Sequence, residues 1–310
     1  MRDFPPFRDL RSFLGWCGGT GQLAAIGAPV PVKHRMTAVH RQVLEAGGPV
    51  LRFDHPVLAD GSRAAMPVIA NLFGTTARVC AGLGMEEDRL DELGEFLAAL
   101  RAPAPPDGLR DALSRWPMLK AALATRPKVT GSAAVQQEVL EGVEADLGCI
   151  PVQTHWAGDA GPLVTWPVVV TRPFSAEPAA LNRYNAGVYR VQVLDSRRMI
   201  MRWLPHRGGA AHHRSWQQQG EKMPVAIALG CDPSTLLSAA LPLPETVSEL
   251  TFAGALSGTR PRFAKARTLP LMVPADAEMI IEGWVSPDAT APEGPFGDHT
   301  GYYNAAEPFP

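Results

Sequence analysis

Two carboxylates, Glu293 and Asp298, stand five residues apart in the run APEGPFGDHTGYY (291–303), among Gly294, Pro295, Gly297 and Gly301. Proline presets φ, and glycine permits unusual φ and a close approach of backbone to ligand. Such a loop can hold two acids in a relation that neither helix nor strand would give. The alternative is an ordinary surface turn with solvated acids.

Three further segments carry polar groups with chemical potential: NAGVYR (185–190), MRWLPHRGG (201–209) and PETVSE (244–249). Asn185, His206 and Glu249 together offer an amide oxygen, an imidazole nitrogen and a carboxylate. Such an oxygen-rich set suits Mn²⁺ or Mg²⁺ better than zinc, and such an ion can bridge protein to phosphate. For His206 the competing reading is a histidine satisfied at a strand end. Arg190, close to the acids, would hold one carboxylate ionised or clamp a substrate carboxylate; a structural ion pair is the other reading.

The elements that must position these residues fall into two textures. Helical patterns run around Asp9–Phe13, Arg35–Ala46 and Glu86–Ala102, with extended apolar runs at Val50–Phe53 and Met66–Ala70. A breaker cluster at APAPPDG (102–108) precedes a helical stretch from Gly108 to about Ala124, and residues 103–130 read as the connection. Beyond residue 150 come short apolar or alternating runs: Leu163–Val170, Val188–Leu194, Met199–Leu204, Val225–Leu229 and Met279–Val285. These suggest an antiparallel sheet or barrel. One helix is well signalled among them, with Asp232 as cap, Pro233 at its first position and Ser234–Ala240 following.

Composition sets outer limits. The 310 residues are enough for two cores, and 46% hydrophobic with 19% charged residues fits a globular chain. Thirty prolines and 29 glycines argue for many turns. A net charge of −2 and scattered basic residues give no nucleic-acid footprint. Cys17, Cys80, Cys149 and Cys231 have no CxxC spacing, which suits reduced thiols in a cytoplasmic protein. The charged, proline-broken N-terminus does not read as a signal peptide, and no apolar run reaches the ~18 residues of a membrane span. His212-His213 reads as solvated surface, and WCGGTG (16–21) as a plain turn without the strand–helix context of a phosphate loop.

Taken together, NxGxYR (185–190), IMRWLPHRGGA (200–210), PVAIALGCDP (224–233), PLPETVSELTFAG (242–254) and APEGPFGDHTGYYN (291–304) resemble the UbiD family of prenylated-FMN-dependent decarboxylases. The likeness is to its bacterial 4-hydroxy-3-polyprenylbenzoate branch, in ubiquinone biosynthesis. RDLRSFL (8–14 region), EAGGPVLRF (45–53) and MPVIANLFGT (66–75) extend it into the first part of the chain.

The resemblance implies an α+β protein: an N-terminal α/β domain over 1–125, then a central split β-barrel of the flavin-reductase type over 126–310. It implies Asn185, His206 and Glu249 at a Mn²⁺ or Mg²⁺ and cofactor-phosphate site. Val188, Tyr189, Arg190, Arg202, Trp203, Leu204, Arg207 and Gly208 would contact prenylated FMN. Met223 and Pro224 would contact it or a nearby K⁺. Arg190, Glu293 and Asp298 would form the catalytic network, with Asp298, its pKa raised by burial, as the proton donor. The substrate implied is an aromatic carboxylic acid, polyprenylated in this branch, with peripheral contact at the inner face of the membrane. A flavin prenyltransferase would supply the cofactor, and homo-oligomers are the family's rule. The family pattern continues beyond Pro310 into a C-terminal domain, so a partner-requiring or inactive flavin-binding subunit is the alternative, as is a decarboxylase of another aromatic or cinnamic-type acid.

Overall fold

In the computed structural model, residues 6–101, 125–298 and 300–310 are described. The first part is built on strands β1 (Leu23–Pro31), β2 (Val50–Val57) and β3 (Val68–Ala70). β1 and β2 are parallel, which demands a crossover, and α2 (Arg35–Glu45) provides it; β3 adds antiparallel to β2. α1 (Leu10–Gly19) starts at a reciprocal cap, in which the Ser12 N–H donates to the Asp9 carboxylate at 2.7 Å. It includes Trp16 to Gly19 of WCGGTG, and Gly21, at φ 71°, turns the chain into β1, so the stretch expected as a plain turn is the end of a helix. α3 (Thr76–Leu83) is capped by Thr75 and ends on left-handed Gly84, and α4 (Leu90–Arg101) follows. The expected helix over 108–124 and most of the expected connection lie outside the described residues.

The second part contains β4 (Lys128–Val129), β5 (Leu163–Val164), β6 (Val168–Thr171), β7 (Asn185–Val188), β8 (Val191–Val193) and β9 (Met199–Met201). β10 (Met223–Leu229), β11 (Arg262–Lys265), β12 (Met272–Pro274), β13 (Met279–Val285), β14 (Ala291–Glu293) and β15 (Glu307–Phe309) complete it. Its main sheet has the order β13-β10-β6-β7, beside smaller sheets β5-β8-β9, β12-β11-β4 and β14-β15. Three helices pack on these strands: α5 (Gly208–Gln217), α6 (Pro233–Ala240) and α7 (Glu249–Ser257). The chain is therefore mixed α+β. Among the described residues no sheet closes on itself.

The period of two along β6 divides the core. Val168 and Val170 point to one face, packed with Leu236 of α6 and Leu250 of α7. Val169 points to the other, packed with Val191 and Met201 of the β8–β9 hairpin and Ala210 and Trp216 of α5. A third cluster joins Cys80 and Leu83 of α3 and Leu93 of α4 to Leu237 of α6 and Phe252 of α7. The two halves thus share apolar contacts.

Several expected elements change on inspection. The expected strand Leu163–Val170 is two strands, interrupted around Pro167, which has no N–H to give a ladder. Val188–Leu194 divides at Tyr189-Arg190, where the chain leaves the main sheet for the smaller one. β1, α5 and α7 had no counterpart in the sequence reading. α6 follows its signals: the Asp232 carboxylate accepts from the Thr235 N–H at 3.0 Å and Pro233 takes the first turn. His212-His213 is not solvated surface. His213 is buried, with Nε2 2.9 Å from the Ser286 carbonyl, and His212 Nδ1 lies 2.9 Å from Thr171 Oγ1.

Candidate active site

Arg190 and Arg202 occupy opposite positions just beyond the ladder in which Val191 pairs with Met201, and the Arg202 N–H donates to the Arg190 carbonyl at 3.3 Å. Directly opposed residues present their side chains to one face. Both guanidinium groups accordingly meet one carboxylate, Glu293, which is fully buried. Arg190 donates from Nε to Oε1 at 2.7 Å and from Nη2 to Oε2 at 3.0 Å, a bidentate fork. Arg202 Nη1 donates to Oε2 at 3.0 Å.

Glu293 is also paired with Glu307 across β14–β15, where like charges face each other. Arg202 bridges the two, its Nη2 donating to Glu307 at 3.3 Å. Arg190 Nη2 donates also to Asn304 Oδ1 at 2.9 Å, and the same oxygen accepts the Phe296 N–H at 3.3 Å. Phe296, fully buried, lies under the Arg190 guanidinium at 5.4 Å. No described residue accepts a hydrogen bond from Arg190 Nη1. Asn304 and Glu307 were not singled out in the sequence; Asn304 closes the same motif as the two acids.

Asp298 is exposed, and its Oδ1 accepts from the Thr300 N–H at 2.6 Å and from the Thr300 hydroxyl. In this chain its carboxyl is therefore at the surface, where burial was expected, and it is held by Thr300.

A second acid of the expected site is half-buried. Glu249 opens α7, and Asn185 opens β7. Glu249 accepts from Asn185 Nδ2 at 3.1 Å and from the Ala186 N–H at 2.9 Å. Burial pushes its carboxyl above the usual glutamate value, against the lowering effect of those two donors. Asn185 Oδ1 accepts from the Tyr189 hydroxyl at 2.9 Å, and that hydroxyl accepts the Gly209 N–H at 3.2 Å. Burial also raises the Tyr189 phenol.

The glycines of these motifs are required by contact. A Cβ on Gly187 would lie 2.4 Å from the Tyr189 ring, one on Gly208 2.6 Å from Asn185 Nδ2, and one on Gly209 2.6 Å from Trp203 Nε1. His206 is exposed, in the turn ahead of α5, and shares no hydrogen bond with Asn185 or Glu249. Among the described residues no three His, Cys, Asp or Glu side chains gather as a metal cluster.

Val188 ends β7; Trp203 and Leu204 follow β9; Arg207 caps α5 and is exposed. Met223 and Pro224 begin β10 and are buried, Met223 in the same core cluster as Tyr189 and Trp203. Trp203 Nε1 is buried without a hydrogen-bond acceptor. Arg207 makes no side-chain cap, so the first amides of α5 are not closed by it. No helix among the described residues is long and apolar enough to cross a membrane.

A family model described as the 3-octaprenyl-4-hydroxybenzoate carboxy-lyase Rift-related domain matches residues 127–310, and the N-terminal domain model of the same carboxy-lyase matches 14–97. The UbiD-class enzyme HmfF from Pelotomaculum thermopropionicum, in complex with FMN, aligns with TM-score 0.78 and 27% identity, over 97% of this chain and 60% of that one. An evolved dimeric form of that enzyme, in complex with prFMN, aligns with TM-score 0.78 and 26% identity, over 98% of this chain and 63% of that one. The vanillic acid decarboxylase of Sedimentibacter hydroxybenzoicus, in closed form, aligns with TM-score 0.81 over 98% of this chain and 60% of that one, and at 24% identity the likeness is one of fold. This chain thus spans about three-fifths of the length of these structures. With the Rift-related match covering more than half of its residues, the chain belongs to the UbiD family.

Proposed function

We propose that this chain is the flavin-binding and catalytic part of a non-oxidative decarboxylase of aromatic acids that works with prenylated FMN. The observation that carries the reading is the Arg190–Glu293 fork. One edge of the guanidinium is held by a buried carboxylate, and Nη1 is left to receive the carboxylate of a substrate.

The residues fit the cofactor. The orphaned Trp203 Nε1 offers a donor, and the start of α5, which has no capping side chain although Tyr189 takes the Gly209 N–H, suits a phosphate. Asn185 and Glu249 supply oxygen donors for Mn²⁺ or Mg²⁺, and a half-buried carboxylate with no cationic partner among its hydrogen bonds favours such an ion. The third proposed donor, His206, stands two residues ahead of Gly208, which packs on Asn185. Met223 and Pro224 are kept as cofactor or K⁺ contacts. When bound, prenylated FMN supplies the electron sink for the pair left as CO₂ departs. The chain then has to orient the acid through Arg190, keep Arg190 in place through Glu293 and Asn304, and deliver a proton to the carbon that lost its carboxylate. Asp298 is the proposed donor, so an aromatic carboxylate and a proton become the arene and CO₂.

The finer reading follows the family description: a 4-hydroxy-3-polyprenylbenzoate of ubiquinone biosynthesis, a homo-oligomer fed by a flavin prenyltransferase, and peripheral membrane contact in the cytoplasm. A cavity of about 930 Å³, lined by Met199, Ile227, Met279, Ile281 and Trp284, reaches Ala291 and Phe309 beside the Glu293 strand and supports an apolar tail. The proposed split barrel is formed by the main sheet and β5-β8-β9, whose facing residues share one core cluster, and the proposed domains are 1–125 and 126–310. The exposure of Asp298 favours a second reading, a flavin-binding subunit that requires a partner to cover its acid.

The test is co-expression with a flavin prenyltransferase and Mn²⁺, followed by absorbance, mass analysis and CO₂ release from a panel of aromatic acids. Bound cofactor with CO₂ release supports the enzyme. Bound cofactor without release from any acid favours the subunit, and a folded protein that takes up no flavin overturns both readings.

A further inference from the structure

The loop that follows Glu293 and carries Asp298 is anchored by a residue from outside it. Asp159, partly buried, closes the turn at 155–159: its Oδ2 accepts the N–H groups of His155 at 3.1 Å and Trp156 at 2.9 Å, and its own N–H donates to the Trp156 carbonyl at 3.1 Å. A turn of this kind requires only one carboxylate oxygen. The other crosses to a segment 138 residues away, where Oδ1 accepts the Gly297 N–H at 3.0 Å. Gly297 stands between Phe296, which packs under Arg190, and Asp298.

The same turn grips the loop at further points. The Ala160 N–H donates to the Pro295 carbonyl at 2.9 Å, and the Gly158 N–H to the Tyr303 hydroxyl at 3.2 Å. The approach is close enough that a Cβ on Gly297 would lie 2.5 Å from the Trp156 ring. Behind the turn, the Thr154 carbonyl accepts the His34 N–H at 2.8 Å, so the grip is itself tied to the first part of the chain.

We propose that Asp159 is a positioning residue for Asp298: its carboxylate sets the backbone immediately ahead of the proton donor, relative to Arg190. This rests on the decarboxylase reading above. A carboxylate accepts on both oxygens, so it holds the turn and the loop at once. An asparagine has the same shape but one acceptor oxygen, so either Gly297 or the 155–156 amides lose their partner. Arg190 and its Glu293 fork are not touched by the change. Turnover should therefore suffer more than substrate binding.

The experiment compares reconstituted wild-type protein with Asp159→Asn by hydrogen–deuterium exchange, cofactor absorbance and steady-state kinetics. Expected are at least tenfold faster exchange in peptides covering 294–303, unchanged cofactor content, and kcat lower by about ten- to a hundredfold with KM within about twofold. Unchanged exchange, unchanged kcat, or a fall in kcat matched by loss of cofactor overturns the proposal. If wild-type protein releases CO₂ from no acid, the decarboxylase reading has failed instead, and with it the assignment to proton delivery; exchange in 294–303 then reports on the anchor alone. Should Asp159→Asn fail to fold, Tyr303→Phe removes the acceptor of the Gly158 N–H from the same contact. A smaller rise in exchange confined to 294–303, with a several-fold fall in kcat, is expected of it, and no change overturns the proposal.

Discussion

Two glutamates, Glu293 fully buried and Glu249 half-buried, are treated in opposite ways. Glu293 has no exposed surface and receives three charge-assisted hydrogen bonds from two arginines. Glu249 is held by one amide side chain and one backbone N–H, with no arginine or lysine among its partners, and burial raises its pKa. Burying a carboxylate is costly unless a cation and hydrogen bonds offset the lost hydration. Glu293 meets that condition from within the chain; Glu249 does not. The difference separates a finished arginine-positioning device from the acid proposed above as an ion ligand.

The largest break in this comparison should come from Glu293→Ala. It leaves Arg190 and Arg202 facing a vacated buried site, and we expect a loss of about 3–5 kcal/mol in urea unfolding together with loss of turnover. A loss under about 1 kcal/mol would mean that the arginines find water or Glu307 instead.

A buried base without a counter-ion extends the comparison to the opposite charge. Burial lowers His212 from 6.5 to about 4, so between these values the unfolded chain binds a proton that the folded chain does not. Its contribution is present above about pH 6.5 and is lost as pH falls toward about 4, up to about 3 kcal/mol in all. In His212→Gln, stability measured from pH 7 to 4 should fall less steeply than in wild type. An unchanged slope would place the acid sensitivity elsewhere.

Glu249 gives the third and smallest effect. Its folded pKa is raised, so its contribution favours the fold below the unfolded value and is lost as pH rises through the folded one. At neutral pH the metal-free protein carries that penalty. Mn²⁺ at a hundredfold excess over its Kd should add about 2.7 kcal/mol to wild type and nothing to Glu249→Gln, whose metal-free form should be the more stable of the two. Equal Mn²⁺ stabilisation of both would remove Glu249 from the proposed ion site.

The legibility of the site in the sequence follows the same divide. Glycine-bearing motifs were readable because each answers a local demand: Gly187 lets the Tyr189 ring fold back over β7, two residues away. α6 was readable from Asp232 and Pro233 for the same reason. α5 and α7 were not, since α5 begins at two glycines with no capping side chain, and α7 is apolar on almost every side, without the polar face that gives a helix its period. His212-His213 read as surface because a polar pair carries no sign of the Thr171 and Ser286 partners that receive it.

The sequence by itself determined which chemistry was present: two acids in a glycine–proline segment, an arginine in NxGxYR, an amide and a carboxylate able to hold an ion, and a family-wide order of motifs. Those are properties of residue type and short spacing. Tertiary structure alone decided that Arg202 joins Arg190 on Glu293, that Asn304 links Arg190 to Phe296, and that Asp298 stands exposed on its turn. These contacts depend on the registers of β8–β9 and β14–β15, which bring together residues 91 to 114 positions apart. No local pattern encodes such a register; it emerges only when whole faces are buried against one another.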